Sequence, residues 1–285
     1  MTPRLDVVAG PVESYLLRTA SRIGPQRGGN KRTMVLLTAV LVLVGASCGA
    51  GNEPQATRVD ALPSDVSAWP DATMHGFSFP NFTAQTYEEV VFDESDMVML
   101  FGAGTDVCAS GSTDDCLLTA EAAQFAQMVN VARSWGHCEG FSILAAERFN
   151  AGLSPASYEL ANEPEVLKAL MRGVASQFLP EVQAEADLWA REDLRDKVLH
   201  IQESLTDGTL NMSVGIYTND AGHSLLPYQV TWNGDDFADI WVYDSNRPAQ
   251  TVSIGVDLAE GRWEFPYVGG ETWSGPSNML DLVSV

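Results

Sequence analysis

The chain has 285 residues, 45 % of them hydrophobic and 19 % charged, with 16 Lys and Arg against 38 Asp and Glu. The first 47 residues hold six basic and two acidic side chains, so the remainder carries ten against 36 and a formal charge of −26, with Lys168 and Lys197 its two lysines. Such a surface repels nucleic acid and anionic headgroups; it excludes a nucleic-acid-binding role and favours solubility and cationic partners.

Residues 34–47 form an uncharged run of 14, with Lys31 and Arg32 just before it. A membrane-spanning helix needs ~20 apolar residues, so the run suits the core of a signal segment instead. It ends in Gly45-Ala46-Ser47 and then Cys48. This resembles a bacterial lipoprotein signal, although Gly45 stands where a leucine is usual. The resemblance implies a lipid on Cys48, a membrane contact through that anchor, and an extracytoplasmic, lipid-anchored protein. An ordinary secretory signal is the alternative. Residues 1–30 would be a long lead, so a start further downstream is expected. Residues 48–75, rich in Gly, Pro, Ala, Ser and Asp and without periodicity, read as a tether, leaving 76–285 as one domain.

Three cysteines follow. Cys108 and Cys116 are separated by seven loop-like residues and are expected to pair in an oxidising setting. That leaves Cys138 free. A buried inert thiol, or a pairing of Cys138 with one of the other two, is the alternative.

The next elements read as helices. Residues 118–133 carry Ala, Phe, Met and Val at helical spacing, and after a break at Gly136 a helix is expected over 138–150. There Phe141, Leu144, Ala145 and Phe149 form one apolar stripe, closed by Ala151-Gly152. Further helices are predicted over 164–178, opened by Pro164, and over 187–205. Acidic runs such as Asp93-Glu94-Ser95-Asp96 and Asp235-Asp236 read as solvated turns rather than metal sites.

The second half reads as sheet, with strands over 210–218, 223–232, 238–244, 250–257 and 262–267, separated by turn clusters such as Asn219-Asp220-Ala221-Gly222 and Asn233-Gly234-Asp235-Asp236. Helices followed by a mostly antiparallel sheet define an α+β class.

Chemistry concentrates on Cys138. A helix N-terminus and a nearby imidazolium both favour a thiolate, and Gly136 and Gly140 would let backbone and substrate come close. Of the four histidines, His75 lies at the domain edge, His200 sits in a helical pattern, and His137, as the immediate neighbour, diverges from the thiol. His223, at the head of a strand, is best placed. If Asn233-Gly234 is a two-residue hairpin turn, Trp232 pairs with Asp235 and His223 lies opposite Asp244, close enough to orient the ring. A loop longer by two puts Asn246 opposite instead. A slip of one residue would send both acid and amide to the wrong face. The plain alternative makes Asp244 a cap on its strand end.

The segments GHCEGFS (136–142), GHSLLPYQV (222–230) and IWVYDSNRP (240–248), in that order, resemble the papain-like cysteine peptidase superfamily. The resemblance covers roughly 95–250. It implies a helical half carrying the nucleophile helix, followed by the sheet. It also implies Cys138 as nucleophile, His223 as general acid/base and Asp244 as orienter, with Asn246 the alternative, acting on a peptide or amide. Two departures stand out. Ala132 occupies the position of the oxyanion-donating glutamine, for which Asn130 is the substitute named here beside the Cys138 N–H. Glu139 follows the nucleophile where a tryptophan is usual, and its charge opposes a thiolate. An exported hydrolase of peptidase or amidase type is therefore the expectation, with a transglutaminase-like acyltransferase and a non-catalytic binding lipoprotein as rivals. No pattern calls for a metal or a cofactor. Trp135 and Trp241 are candidates for bordering a groove.

Overall fold

The computed structural model describes residues 65–68 and 75–285. The signal segment, Cys48 and most of the tether lie outside these residues. Among the described residues no helix is long and apolar enough to cross a membrane.

Among the described residues six α-helices precede the main run of strands: α1 (Glu94–Phe101), α2 (Ala120–Ala132), α3 (Cys138–Asn150), α4 (Pro164–Ser176), α5 (Pro180–Trp189) and α6 (Leu194–Ser204). Seven strands follow: β2 (Met212–Tyr217), β3 (Gly222–Trp232), β4 (Phe237–Tyr243), β5 (Val252–Asp257), β6 (Arg262–Pro266), β7 (Thr272–Pro276) and β8 (Leu280–Ser284). A two-residue strand, β1 (Val66–Ser67), pairs with β3. It falls within the stretch expected to be tether, so part of that stretch docks on the sheet. All strand pairs are antiparallel, in the order β7-β6-β5-β4-β3-β2-β8. The α+β expectation holds at this level.

Burial explains the strand sequences. β5 alternates buried and half-buried residues, as a strand with one covered face does. β2 as far as Ile216 and most of β3 are buried on both faces, as strands covered on both sides are. α3 supplies the cover, packing against β3 and α4. The α3–α4 contact is close because it is made through glycines: a Cβ on Gly140 would stand 2.0 Å from the Leu170 carbonyl oxygen, and one on Gly173 2.7 Å from the Gly140 Cα. Gly140 thus serves helix packing rather than substrate approach.

Several expectations needed correction. Asp93 caps α1, accepting from the Ser95 and Asp96 N–H groups, while Asp96 accepts from the Asp93 N–H, which makes a capping box. Asp96 is buried between Lys168 and Arg172, each 2.9 Å away. This acidic run is a helix start anchored to α4, not a solvated turn. The helix expected over 187–205 is two helices, broken at residues 190–193, where Asp193 caps α6 by accepting from the Asp196 N–H. The strands β7 and β8 were not expected. β8 returns from the end of the chain to pair with β2, carrying Asp281 opposite Gly215.

Candidate active site

Cys138 is the first residue of α3 and a half-buried free thiol; Cys108 and Cys116 form the expected disulfide. Gly136, just before it, has a φ of 132°, a conformation that side chains disfavour, and a Cβ there would stand 3.0 Å from Asn81 Nδ2. Glycine therefore sets the entry into α3. His137, the N-cap residue, makes no side-chain cap, so the first N–H groups of α3 stay open around the thiol.

His223 reaches the site from the head of β3 and is almost fully buried. Its Nε2 lies 2.8 Å from Asp244 Oδ1. The Cys138 thiol lies near enough to the same ring to help raise its pKa, and both residues line one cavity. Cys138, His223 and Asp244 are thus gathered at one site. Burial alone would lower the imidazole's pKa; Asp244 and the Cys138 sulfur outweigh it and raise it to about 9.

Asp244 arrives by a different geometry from the one expected. Its strand ends at Tyr243, and Asp244 opens the turn that follows. At the loop end Trp232 pairs with Ala238, so the connection is longer than two residues, and this register would point His223 and Asp244 to opposite faces. A bulge between Pro227 and Gln229 shifts the pairing to Leu226 opposite Tyr243. That shift restores the shared face and leaves Asp244 diagonal to His223, with Asn246 at the directly opposed position. The ring nevertheless bonds to Asp244, while Asn246 Nδ2 stands 3.3 Å from the same nitrogen.

Asp244 is completely shielded from solvent and also accepts from Arg247 Nε and the Asn246 N–H, each at 2.8 Å. Burial pushes its pKa up, but the His223, Arg247 and Asn246 interactions prevail and hold it below the usual carboxylate range. Tyr267 packs edge-on against His223 with ring centroids 5.8 Å apart, and Trp273 stacks on Tyr267 at 4.0 Å, closing this side with aromatic surface.

One residue the sequence did not point to ties the halves together. Asn81 Oδ1 accepts from the His137 N–H at 2.8 Å, its Nδ2 donates to Asn246 Oδ1 at 3.2 Å, and its own N–H donates to the Ser245 carbonyl. It links the residue before the nucleophile to the turn that carries the orienting acid.

Other candidates fall elsewhere. Asn130 is not brought to the site: its side chain accepts from the Phe92 N–H and donates to the Phe92 and Ala126 carbonyls, which makes it a structural clamp between α2 and the segment ahead of α1. His137 stacks on Phe82, and its Nδ1 lies 2.8 Å from the Phe82 carbonyl. Burial drives its pKa down to about 4, so it is neutral and unsuited to proton transfer at ordinary pH. His200 stacks on Trp189. Trp135 is 88 % exposed and borders the cavity in front of the thiol, while Trp241 bonds to Thr231 within the sheet.

That cavity has a volume of about 620 Å³, and its walls include Cys138, Glu139, Trp135, His223, Tyr217 and Asp281. Glu139 Oε1 accepts from Ser213 Oγ at 3.1 Å. Burial raises the Glu139 pKa against the pull of the Ser224 and Ser213 hydroxyls.

Set against known proteins, the chain matches no family model, no curated protein and no solved structure. The functional argument therefore stands on these residues alone. Among the described residues, no group of three or more His, Cys, Asp and Glu side chains converges as a metal site.

Proposed function

We propose that this protein is an exported, lipid-anchored cysteine-nucleophile hydrolase of papain-like type, cleaving an amide or peptide bond. The observation that carries this reading is that Cys138, at the start of α3, and His223, bonded to the buried Asp244, line one cavity. In the reaction the thiolate forms a bond to the substrate carbonyl carbon. The carbonyl electron pair moves to oxygen, beside the Cys138 N–H and the open first turn of α3. The imidazolium then gives its proton to the departing amine as the C–N bond breaks, leaving a thioester. Water, deprotonated by the neutral His223, cleaves the thioester and restores the thiol. Asp244 keeps the ring oriented and compensates its charge throughout. The disulfide supports the exported setting.

The direct test is alkylation of the folded protein by iodoacetamide near neutral pH. Cys138 should react far faster than a cysteine in an unfolded peptide. Cys138→Ser should abolish labelling, and His223→Ala should slow it by about 100-fold or more, the usual scale of an acid/base partner. A thiol that reacts no faster in the folded chain than in denaturant would refute the reading. Release of product to water, rather than incorporation of an added amine, separates a hydrolase from an acyltransferase.

A further inference from the structure

We propose that Trp135, with Val131 and Met128 leading up to it, is the specificity surface of this site and seats an apolar side chain of a polypeptide substrate. This deepens the hydrolase reading and rests on it for the word substrate, while the binding of an apolar peptide stands on the surface alone.

Trp135 lies three residues before Cys138 and borders the same cavity. It is 88 % exposed, and among the described residues no ring packs against it and no acceptor meets its indole N–H. The other large aromatic residues of that wall are engaged: the Tyr217 hydroxyl donates to Asp281, and Phe178 packs against the core. A single exposed apolar residue is ordinary, and Leu117, 73 % exposed beside the disulfide, is such a case. Trp135 differs because it is not alone. Val131 and Met128, four and seven residues earlier, are 60 % and 39 % exposed and stand at helical spacing. α2 carries one charged residue, Glu121 in its first turn, so the exposed face from Gln124 onward is uncharged on a strongly acidic chain.

The indole is held out on an anchored backbone. It ends the short turn Arg133–Trp135. Arg133 is buried and donates from its guanidinium to the Val90 carbonyl, and the Gly136 N–H donates to the Arg133 carbonyl at 3.3 Å. Just beyond, the His137 N–H donates to Asn81. A ring presented on a backbone fixed at both ends has little freedom left to lose on binding, and a rigid, exposed tryptophan is the kind of side chain that dominates binding surfaces. The occupant follows from where the face ends. Ala132 and Trp135 belong to the wall that holds Cys138 and His223. A membrane or a second copy of the chain lying on this face would cover the mouth of that cavity, whereas a substrate chain running to the thiol would cross it. With no charge on the face, a charged side chain would find no partner there, and an apolar one would bury surface against the indole.

The test has two arms. In the first, Cys138 is alkylated by iodoacetamide and by N-hexyliodoacetamide, each rate being divided by that on free N-acetylcysteine. The hexyl reagent should gain about tenfold, the scale of roughly two methylenes leaving water. Trp135→Ala should abolish the gain, Trp135→Phe should retain part of it, and Leu117→Ser should leave it whole. No gain, or a gain that survives Trp135→Ala, overturns the surface while leaving the nucleophile intact. In the second arm, Cys138→Ser protein is titrated with fluorescein-labelled Gly-Leu-Gly-Phe-Gly-Leu-Gly amide and with its analogue bearing serine at the three apolar positions, read by anisotropy. The apolar peptide should bind about tenfold or more tightly, and Trp135→Ala in the same background should erase the difference. Equal binding, no binding, or a difference kept without Trp135 overturns the proposal. So does a dimer in sedimentation, or binding to phosphatidylcholine vesicles, that Trp135→Ala removes, since the face would then belong to another occupant. If iodoacetamide labels Cys138 no faster in the folded chain than in denaturant, the hydrolase reading fails, and the peptide titration still decides the surface.

Discussion

Asp244 and Asp281 are both buried aspartates on the sheet that faces α3, and their environments push them in opposite directions. Asp244 meets an imidazole, a guanidinium and a backbone N–H, and is held ionised below the usual range. Asp281 meets one neutral hydroxyl, has a second carboxyl nearby, and is raised to about 6. Both suffer desolvation, so burial does not separate them; the count and charge of their donors does. Asp244 has its charge compensated within the chain, which fits a group that orients another. Asp281 has only the more distant Lys197 to offset its charge, and its Oδ1 is buried without a hydrogen-bond partner.

The largest test of this contrast is Asp244→Ala set beside Asp281→Ala. Removing Asp244 leaves the half-buried Arg247 guanidinium without its carboxylate, beside an imidazole that has lost its orienter. Breaking such a buried pair costs on the order of 3–5 kcal/mol. Chemical denaturation should show a loss of that size, and iodoacetamide labelling of Cys138 should slow by about 100-fold. Asp281→Ala should cost little stability near neutral pH and leave labelling by this neutral reagent within about threefold, since Lys197 acts on the removed charge only from beyond salt-bridge distance. Equal losses in the two variants would mean that Asp281 is as fully compensated as Asp244.

The second test uses pH. Asp281 has a folded pKa raised from its ordinary 3.8 to about 6. A group so raised stabilises the fold in its protonated form. Its contribution is therefore fully present below pH 3.8 and is lost as pH rises through about 6. Asp244 has the opposite sign: its contribution is present above the ordinary aspartate range and is lost as pH falls through its depressed value. Asp281→Asn should flatten the stability profile between about pH 4 and 6, by on the order of 1–3 kcal/mol. Asp244→Asn should flatten the acid limb below pH 4 instead. If Asp281→Asn leaves the decline between pH 4 and 6 unchanged, its carboxyl is not raised.

The two aspartates also mark what a sequence discloses. Helix α3 was legible because Phe141, Leu144, Ala145 and Phe149 repeat at its period and Ala151-Gly152 ends it. Cys138 could be singled out because that helix begins there and the other two cysteines had each other. Asp244 was found through a hairpin register that does not occur; a bulge no local pattern announces kept it on the right face. Asp281 had no comparable signal. It lies in a short strand whose meaning depends on pairing with β2, nearly seventy residues earlier in the chain. The same holds for Asp96, whose burial makes sense only through Lys168 and Arg172 on α4. Periodicity and capping are local and can be read. Which polar residue meets which across the fold is set by packing, and a single chain leaves no trace of it.

Asn81 gives the smallest expected effect and tests whether the Asp244 side is held together as a unit. It touches neither Asp244 nor the thiol in the described contacts, yet it binds the N–H before Cys138 and the amide of Asn246. Asn246 in turn donates its own N–H to Asp244. If compensation of Asp244 depends on the pose of this turn, Asn81→Ala should loosen both ends. Labelling of Cys138 should slow by about three- to tenfold, with a stability loss of about 1 kcal/mol for the lost hydrogen bonds. Asn81→Asp, which keeps the oxygen that accepts from the His137 N–H but loses the donor to Asn246, should recover only the thiol's position. The decline in stability between pH 4 and 6 that Asp281 contributes should be untouched in both variants, because Asn81 is not among the walls of its cavity. A change in that decline would mean that the two carboxylates are coupled through the start of α3, and the division between a compensated acid and a poorly compensated one would have to be redrawn as one shared network.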